Sequence, residues 1–184
     1  MLKRWGGWFI LIGFAIATTW FVQNLEEKFL FQEETLTSTP DYTLTNFKST
    51  RMDEHGQLKN QLTAKTMTHY PDANAKLMAP YMIFYKKMRQ TWTVQAERGE
   101  VSPDGYQVWL QGQTVLQQYP QNQQPPMKII SQDVWARLDT EYAETAAPTI
   151  IYHNNGKTNS VGMRVFMPIE QIELLSQVRG HYVQ

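Results

Sequence analysis

The chain has 184 residues, no cysteine, and 17 basic against 17 acidic side chains, so its formal net charge is zero. The length fits one domain plus a further segment, and the absence of cysteine excludes disulfides, thiol nucleophiles and cysteine-ligated zinc. Neutral charge argues against a nucleic-acid binder, which needs a basic surface to displace counterions from phosphates.

The first predicted element is an apolar transmembrane helix at residues 5–25, a stretch without a charged side chain. At about 1.5 Å per residue it is roughly 31 Å long, close to the ~30 Å hydrocarbon core of a bilayer. Basic residues in segment 1–4 predict a cytoplasmic N-terminus. A cleaved signal peptide with an A-x-A site at residues 15–17 is the alternative. We prefer an uncleaved anchor because residues 20–22 prolong the apolar run.

A tether at residues 26–40 is predicted to join the anchor to a β-domain at residues 41–184. The tether ends in a threonine-rich run and a proline, and it has no core of its own. Within the domain, turn residues separate short runs that alternate apolar and polar side chains, as half-buried strands do. The clearest runs are residues 91–96, 106–110 and 128–131. The predicted turns are at residues 53–56, 71–74, 102–105, 121–126 and 153–156.

Near the C-terminus the pattern changes, and one short helix is predicted over residues 168–180. Pro168 stands at its start, acidic residues occupy the first turn, and Arg179 and Gly180 close it. These are the usual signals of a helix start and stop. Residues 181–183 would then add a last strand.

A weak internal repeat runs through the domain. Small residues are predicted to open strands at separations of 32, 35 and 29, namely Ala64, Ala96, Ser131 and Ser160. A proline or glycine is predicted to precede each return strand, at Pro80, Gly112 and Pro148. A unit of this size predicts stacked antiparallel hairpins with a free sheet edge at both ends. Such edges persist where a partner adds its own strand.

The sequence carries no catalytic or metal-binding signature. Its four histidines lack the spacing of metal ligands, and there is no nucleophile elbow, phosphate-binding loop or dinucleotide fingerprint. The basic cluster at residues 86–89 is interpreted as a hairpin tip rather than a phosphate site. We therefore predict a protein that is not an enzyme and needs no metal or cofactor.

The ordered motifs resemble the LptC family of inner-membrane lipopolysaccharide-transport proteins, and the resemblance covers essentially the whole chain. The family-like stretches are residues 54–58, 62–64 with Tyr70, 80–81, 92–96, 108–112 and 162–164. The resemblance implies an all-β fold, an open β-jelly-roll built from repeated antiparallel hairpins and preceded by one transmembrane helix.

The resemblance also implies a function in lipopolysaccharide transport across the periplasm. In that family the domain receives lipopolysaccharide from an inner-membrane ABC transporter of the LptB, LptF and LptG type. It passes the lipid to a periplasmic bridge protein of the LptA type. The N-terminal sheet edge abuts the transporter and the C-terminal edge meets the bridge protein. ATP hydrolysis takes place on the transporter, so no nucleotide site is expected in this chain.

Two sets of site residues follow from the resemblance. By position in the family, the lipid-facing residues are Phe47, Leu77 and Ile172. Alternation along the strands extends this set to Trp92, Val94, Val108, Leu110, Ile130 and Val134. The expected partner-binding residues are Gly162, Met163, Tyr182 and Val183. His153 stands where relatives have a glycine important to bridging, so this chain departs from the family at its C-terminal docking edge.

Apolar faces in repeated hairpins fit either a filled sandwich core or two splayed layers with an apolar groove. For the groove, we predict that Trp92→Asp or Leu110→Asp abolishes lipid photocrosslinking while the domain still folds. A membrane-anchored scaffold that docks partner sheets without holding lipid is the alternative function. A tethered enzyme with scattered residues is the less favoured one.

Overall fold

The computed structural model describes residues 39–71, 73–119, 125–154 and 156–182. The predicted cytoplasmic segment, the anchor at residues 5–25 and most of the tether lie outside these ranges. Among the described residues, no helix has the length and apolar character needed to cross a bilayer. Residues Pro40–Gln184 form one compact unit.

Ten strands form a single antiparallel sheet in the described part of the chain. They are β1 (Tyr42–Met52), β2 (Leu58–His69), β3 (Ala75–Met78), β4 (Tyr81–Lys86), β5 (Arg89–Val101), β6 (Gln107–Gln118), β7 (Met127–Arg137), β8 (Tyr142–His153), β9 (Gly156–Phe166) and β10 (Gln171–Tyr182). Each strand pairs with its sequence neighbour, except that β3 and β4 both lie between β2 and β5. The free edges are therefore β1 and β10, and the all-β, repeated-hairpin prediction is confirmed.

Most predicted turns lie between strands as expected. The turns at residues 53–56 and 102–105 separate β1 from β2 and β5 from β6. The basic cluster is a hairpin tip, since Lys87 and Met88 join β4 to β5, both with positive φ. Residues 120–124, within another predicted turn, lie outside the described ranges.

The helix predicted over residues 168–180 is wrong. Only Met167–Ile169 forms a short 3-10 turn, and Glu170 ends it in the left-handed conformation. From Gln171 the chain continues as β10 through Tyr182, so residues 181–182 belong to the same strand. Ile172 pairs with Val165 on β9 and packs against the core. Pairing with β9 along the strand thus overrides the local helix signals.

The long strands change register or backbone conformation near their middles, along a line that we call the crease. Register shifts fall between Ala96 and Arg98, between Thr145 and Pro148, and at corresponding places on other strands. Residues with positive φ lie at the same level: Asn46, Ala79, Gly112, Asp133, Gly162 and Gln177. The pairing partner of β2 also changes at the crease: its first half pairs with β4 and its second half with β3. The crease divides the sheet into two layers.

The sequence repeat marks the crease and not the strand starts. Ala64, Ala96, Ser131 and Ser160 lie inside β2, β5, β7 and β9, so their prediction as strand openings is wrong. Gly112 and Pro148 also lie inside strands, whereas Pro80 does precede β4. The Ser131 hydroxyl donates to the Pro148 carbonyl at 3.0 Å. Small side chains suit the crease because two packed layers converge there and leave no room for larger ones.

The two layers face each other around one apolar core. Parts of the chain that are not neighbours in the sheet meet at the layer ends: the Asn60 side-chain amide donates to the Leu138 carbonyl at 3.2 Å. One layer contributes Phe84, Trp92 and Leu116, and the other contributes Leu77, Leu110 and Val165.

Candidate lipid-binding interior and sheet edges

The interior brings together most of the predicted lipid-facing residues. Leu77 is 2% exposed, and five others are fully buried, namely Trp92, Val94, Val108, Leu110 and Val134. In this conformation they form a packed core and not an open groove. An aspartate at Trp92 or Leu110 would be buried without a partner, so we no longer expect those variants to fold.

Phe47 and Ile172 lie at the two ends of this interior, where each is half-buried and packs against the core. Ile130 is different, because Ile129 and Ser131 point inward and Ile130 lies on the opposite face of the layer. It pairs there with Val115 and Ile150. The sequence could not settle this point, since isoleucine occupies both 129 and 130 and either phase of alternation fits.

A cavity of about 290 Å³ lies beside the N-terminal sheet edge. Its apolar lining comes from Phe47, Leu62, Met67, Val101 and Leu138, and its polar lining from Arg51, Asn60 and His69. Ligand pockets usually measure roughly 300–1,000 Å³. The cavity therefore has room for part of a lipid tail and not for a lipid with several acyl chains.

A second cleft of about 490 Å³ lies on the other side of Arg51, which lines both spaces. The Arg51 guanidinium donates to the Gly105 carbonyl at 3.3 Å and lies 4.4 Å from the centre of the Tyr106 ring. Lys59 donates to the Asp139 carbonyl at 2.8 Å. Burial raises the pKa of the Glu141 carboxyl, and the Lys59 and Lys86 ammonium groups oppose that rise. The wall between the two spaces is thus polar and partly charged.

Sequence reasoning missed this polar wall. Arg51 and Lys59 flank the predicted turn at residues 53–56, and neither is among the predicted site residues. Their partners lie 54 and 80 residues away in the chain. No local periodicity reports contacts at such separations.

The C-terminal edge carries exposed apolar side chains on β10. Tyr182 is 73% exposed, and Leu175 and Val178 are also exposed. The Tyr182 ring lies against Gly156, where an added Cβ would come within 2.6 Å of it. His153 pairs with Gly156 at the end of the β8–β9 hairpin. The free β10 edge thus ends in the Tyr182 ring, which packs against Gly156 and remains exposed to solvent.

The other predicted partner-binding residues are placed differently. Gly162 is buried at the crease with φ +79°, and Met163 is fully buried, so neither presents a side chain to a partner in this conformation. Val183 lies outside the described residues. Within the described ranges, no group of three histidine or acidic side chains could hold a metal ion.

Comparison with known proteins places the chain in a family. No curated protein matches it. Among solved structures it is similar to LptH, the LptA homologous periplasmic component of the lipopolysaccharide transport device from Pseudomonas aeruginosa. That similarity has 5% identity, covers 78% of this chain and 94% of LptH, and has a TM-score of 0.45. The family described as "Lipopolysaccharide-assembly, LptC-related" matches residues 8–183. The chain belongs to this LptC-related family of lipopolysaccharide-assembly proteins.

Proposed function

We propose that this chain is a single-span inner-membrane component that carries lipopolysaccharide from an ABC transporter to a periplasmic bridge protein. Family membership supports a role in lipopolysaccharide transport. The observation that carries the finer proposal is the apolar interior between the layers, which reaches a cavity at Phe47 beside the free β1 edge.

Acyl chains suit such an interior. Burial of one CH₂ group contributes about 0.8 kcal/mol, so a lipid with several fully enclosed chains would bind too tightly to leave. An interior that encloses only part of the lipid binds it more weakly and lets it move toward the next protein. The small cavity at Phe47 is consistent with partial enclosure.

The two free edges supply the docking sites of this proposal. The β1 edge would face the transporter of the LptB, LptF and LptG type, and the β10 edge would receive a strand of an LptA-type bridge protein. Unpaired backbone groups on an edge strand bind a partner strand in this way. The segment at residues 5–25 would hold the domain at the inner membrane, with its bulk in the periplasm. No catalysis, metal or cofactor is part of the proposal.

One observation favours a second candidate, a scaffold that docks partners without holding lipid. Trp92, Val108 and Leu110 are fully buried, as they are in an ordinary sandwich core. A packed core of this kind needs no ligand to explain its composition.

A photoreactive amino acid distinguishes the two candidates. We would place benzoylphenylalanine at Phe47, which lines the cavity, and as a matched control at Trp135, which is 44% exposed on the outer face. The carrier proposal expects lipopolysaccharide adducts in living cells at Phe47, dependent on the transporter ATPase, and none at Trp135. Absence of adducts at Phe47, in folded and membrane-localised protein, would support the scaffold.

A further inference from the structure

We infer that a set of polar contacts between the two layers acts as a latch that must open to admit lipid to the interior. The latch consists of Arg51, Lys59, Asn60 and Lys86 on one layer, together with the turn residues that they contact on the other. The inference rests on the proposed carrier function, because it describes how that interior is reached.

Position is the first support. The inner cavity is bounded by Arg51, Asn60 and Leu138, and the outer cleft by Arg51, Lys59 and Asp139. Latch residues thus line both spaces and form the wall between them. Separation of the wall would join the outer cleft to the cavity that Phe47 and Leu62 line.

The kind of bonding is the second support. The four latch residues reach across with side chains, and each donates to a carbonyl: Arg51 to Gly105 at 3.3 Å, Lys59 to Asp139 at 2.8 Å, Asn60 to Leu138 at 3.2 Å and Lys86 to Pro168 at 3.1 Å. The opposite boundary, the crease, is crossed by continuous hydrogen-bonded strands. Only the Asn60 bond is buried, and water can replace the other three, which are part-buried or exposed, at little cost. The latch is therefore the weaker boundary of the interior.

Unsatisfied polar atoms are the third support. Arg51 Nη1 and Asp139 Oδ1 are buried without a hydrogen-bond partner. Each side chain is bonded through its other polar atom, Arg51 to Gly105 and Asp139 to Arg137, but a buried polar atom without a partner still penalises the state that holds it. Opening would hydrate both atoms but expose Leu62 and Phe84, so the closed state prevails until an acyl chain covers those side chains. Lipid then shifts the population toward the open state.

A labelling experiment on the lipid-free full chain tests the latch itself. The native chain has no cysteine, so a single Leu62→Cys thiol, behind the latch, reports opening. We expect Arg51→Met to raise its labelling rate about ten-fold, a change of roughly 1.4 kcal/mol in the opening equilibrium. Arg98→Met, at an exposed outer-face arginine, should leave the rate unchanged.

A thiol at the crease controls for loss of structure. Ser131→Cys, 5% exposed, should label slowly in both arginine variants. Equal acceleration at Leu62→Cys and Ser131→Cys would mean general loosening and would overturn the latch. No acceleration at Leu62→Cys would overturn it as well.

A locked variant tests the role of the latch with lipid. Lys59→Cys with Glu141→Cys would be joined by a short bismaleimide in membranes that contain the transport complex; the native Lys59 Nζ and Glu141 Oε1 atoms are 4.0 Å apart. The control joins Glu144→Cys to Arg164→Cys, neighbours within one layer. With benzoylphenylalanine at Trp92, we expect at least ten-fold fewer lipopolysaccharide adducts in the locked protein than in the control.

The outcomes separate the two hypotheses. Equal adducts in the locked and control proteins would overturn the latch and leave the carrier function standing. Thiol labelling that shows opening, with no adduct at Trp92 or Phe47 in any variant, would overturn the carrier function and leave the latch as a motion without that role.

Discussion

At the scale of single residues, Trp92 is the largest fully buried side chain of the described interior. It is fully buried, and its Nε1 has no hydrogen-bond partner. We expect Trp92→Ala to lower the free energy of unfolding by about 3–5 kcal/mol, because it leaves a large cavity. Urea denaturation measures this loss. Trp135→Ala is the control: its exposed ring stacks on Trp109 at 5.4 Å, and we expect a loss of only about 1 kcal/mol. Equal losses would contradict the assignment of Trp92 to the core.

Gly162 provides a second test at this scale, because it combines positive φ with a close neighbour. Its φ is +79°, and an added Cβ would lie 2.9 Å from Leu175 Cδ1. Gly56 has a similar φ of +73° but nothing within 4 Å. We expect Gly56→Ala to cost about 1–2 kcal/mol, the usual penalty of left-handed backbone, and Gly162→Ala to cost clearly more. Thermal unfolding of both variants measures the difference, and equal costs would mean that Leu175 moves aside freely.

Tyr142 makes the free energy of unfolding depend on pH in the alkaline range. Burial first, and then the hydrogen bond and charge of Glu144, raise the pKa of its phenol to about 12. The unfolded value is about 10, so the folded state favours the protonated phenol. This contribution is complete below about pH 10 and is lost as the pH rises toward 12. In urea titrations at several pH values over that range, we expect the free energy of unfolding to fall less steeply with pH in Tyr142→Phe than in the native protein.

Glu144→Gln checks the cause of that shift. The variant removes the charge but keeps a hydrogen-bond acceptor, so the pKa of Tyr142 should fall toward its ordinary value, as tyrosinate absorbance would show. An unchanged titration would assign the whole shift to burial.

At the scale of elements, the alternation of side chains was enough to predict strands at residues 91–96, 106–110 and 128–131, which match parts of β5, β6 and β7, and the hairpin tip at residues 86–89 was also predicted. It failed from Pro168 onward, because the signals of a helix start are local and the pairing of Ile172 with Val165 is not. It also misplaced the repeat: the spacing of small residues was real, but their function is to let the layers converge at the crease. Contacts between distant parts of the chain, such as Arg51 with Gly105, leave no periodic trace.

The β10 strand carries a prediction of its own. Val178 is 53% exposed on the free edge, and a lysine on an edge strand opposes strand addition. We expect Val178→Lys to change the free energy of unfolding by less than about 0.5 kcal/mol, as exposed substitutions usually do. It should nevertheless weaken crosslinking to a bridge protein from a photoprobe at Tyr182. Thr50→Lys, exposed on the β1 edge, is the matched control, and equal effects of both lysines on the crosslink would argue against β10 as the docking edge.

At the scale of the whole molecule, the two layers are halves of the same strands and share one core. A strand such as β5 carries Trp92 in one layer and Gly99 in the other, and Gly99 pairs with Leu110. Neither layer can keep its buried face if the other is lost, because each layer covers the apolar side of its partner. A latch that opens must therefore separate the layer ends while the crease keeps the sheet continuous.

This geometry predicts one cooperative unfolding transition for residues 40–184. In single-tryptophan variants of that fragment, Trp92 reports the interior and Trp135 reports the outer face of the other layer. In each variant we expect the fluorescence midpoint in urea to coincide with the far-UV circular dichroism midpoint of that same variant, as in a two-state domain. If the Trp92 fluorescence changed at clearly lower urea than the circular dichroism of the same variant, the layers would part before the sheet unfolds, and opening of the interior would then be a populated intermediate and not a local fluctuation of the latch.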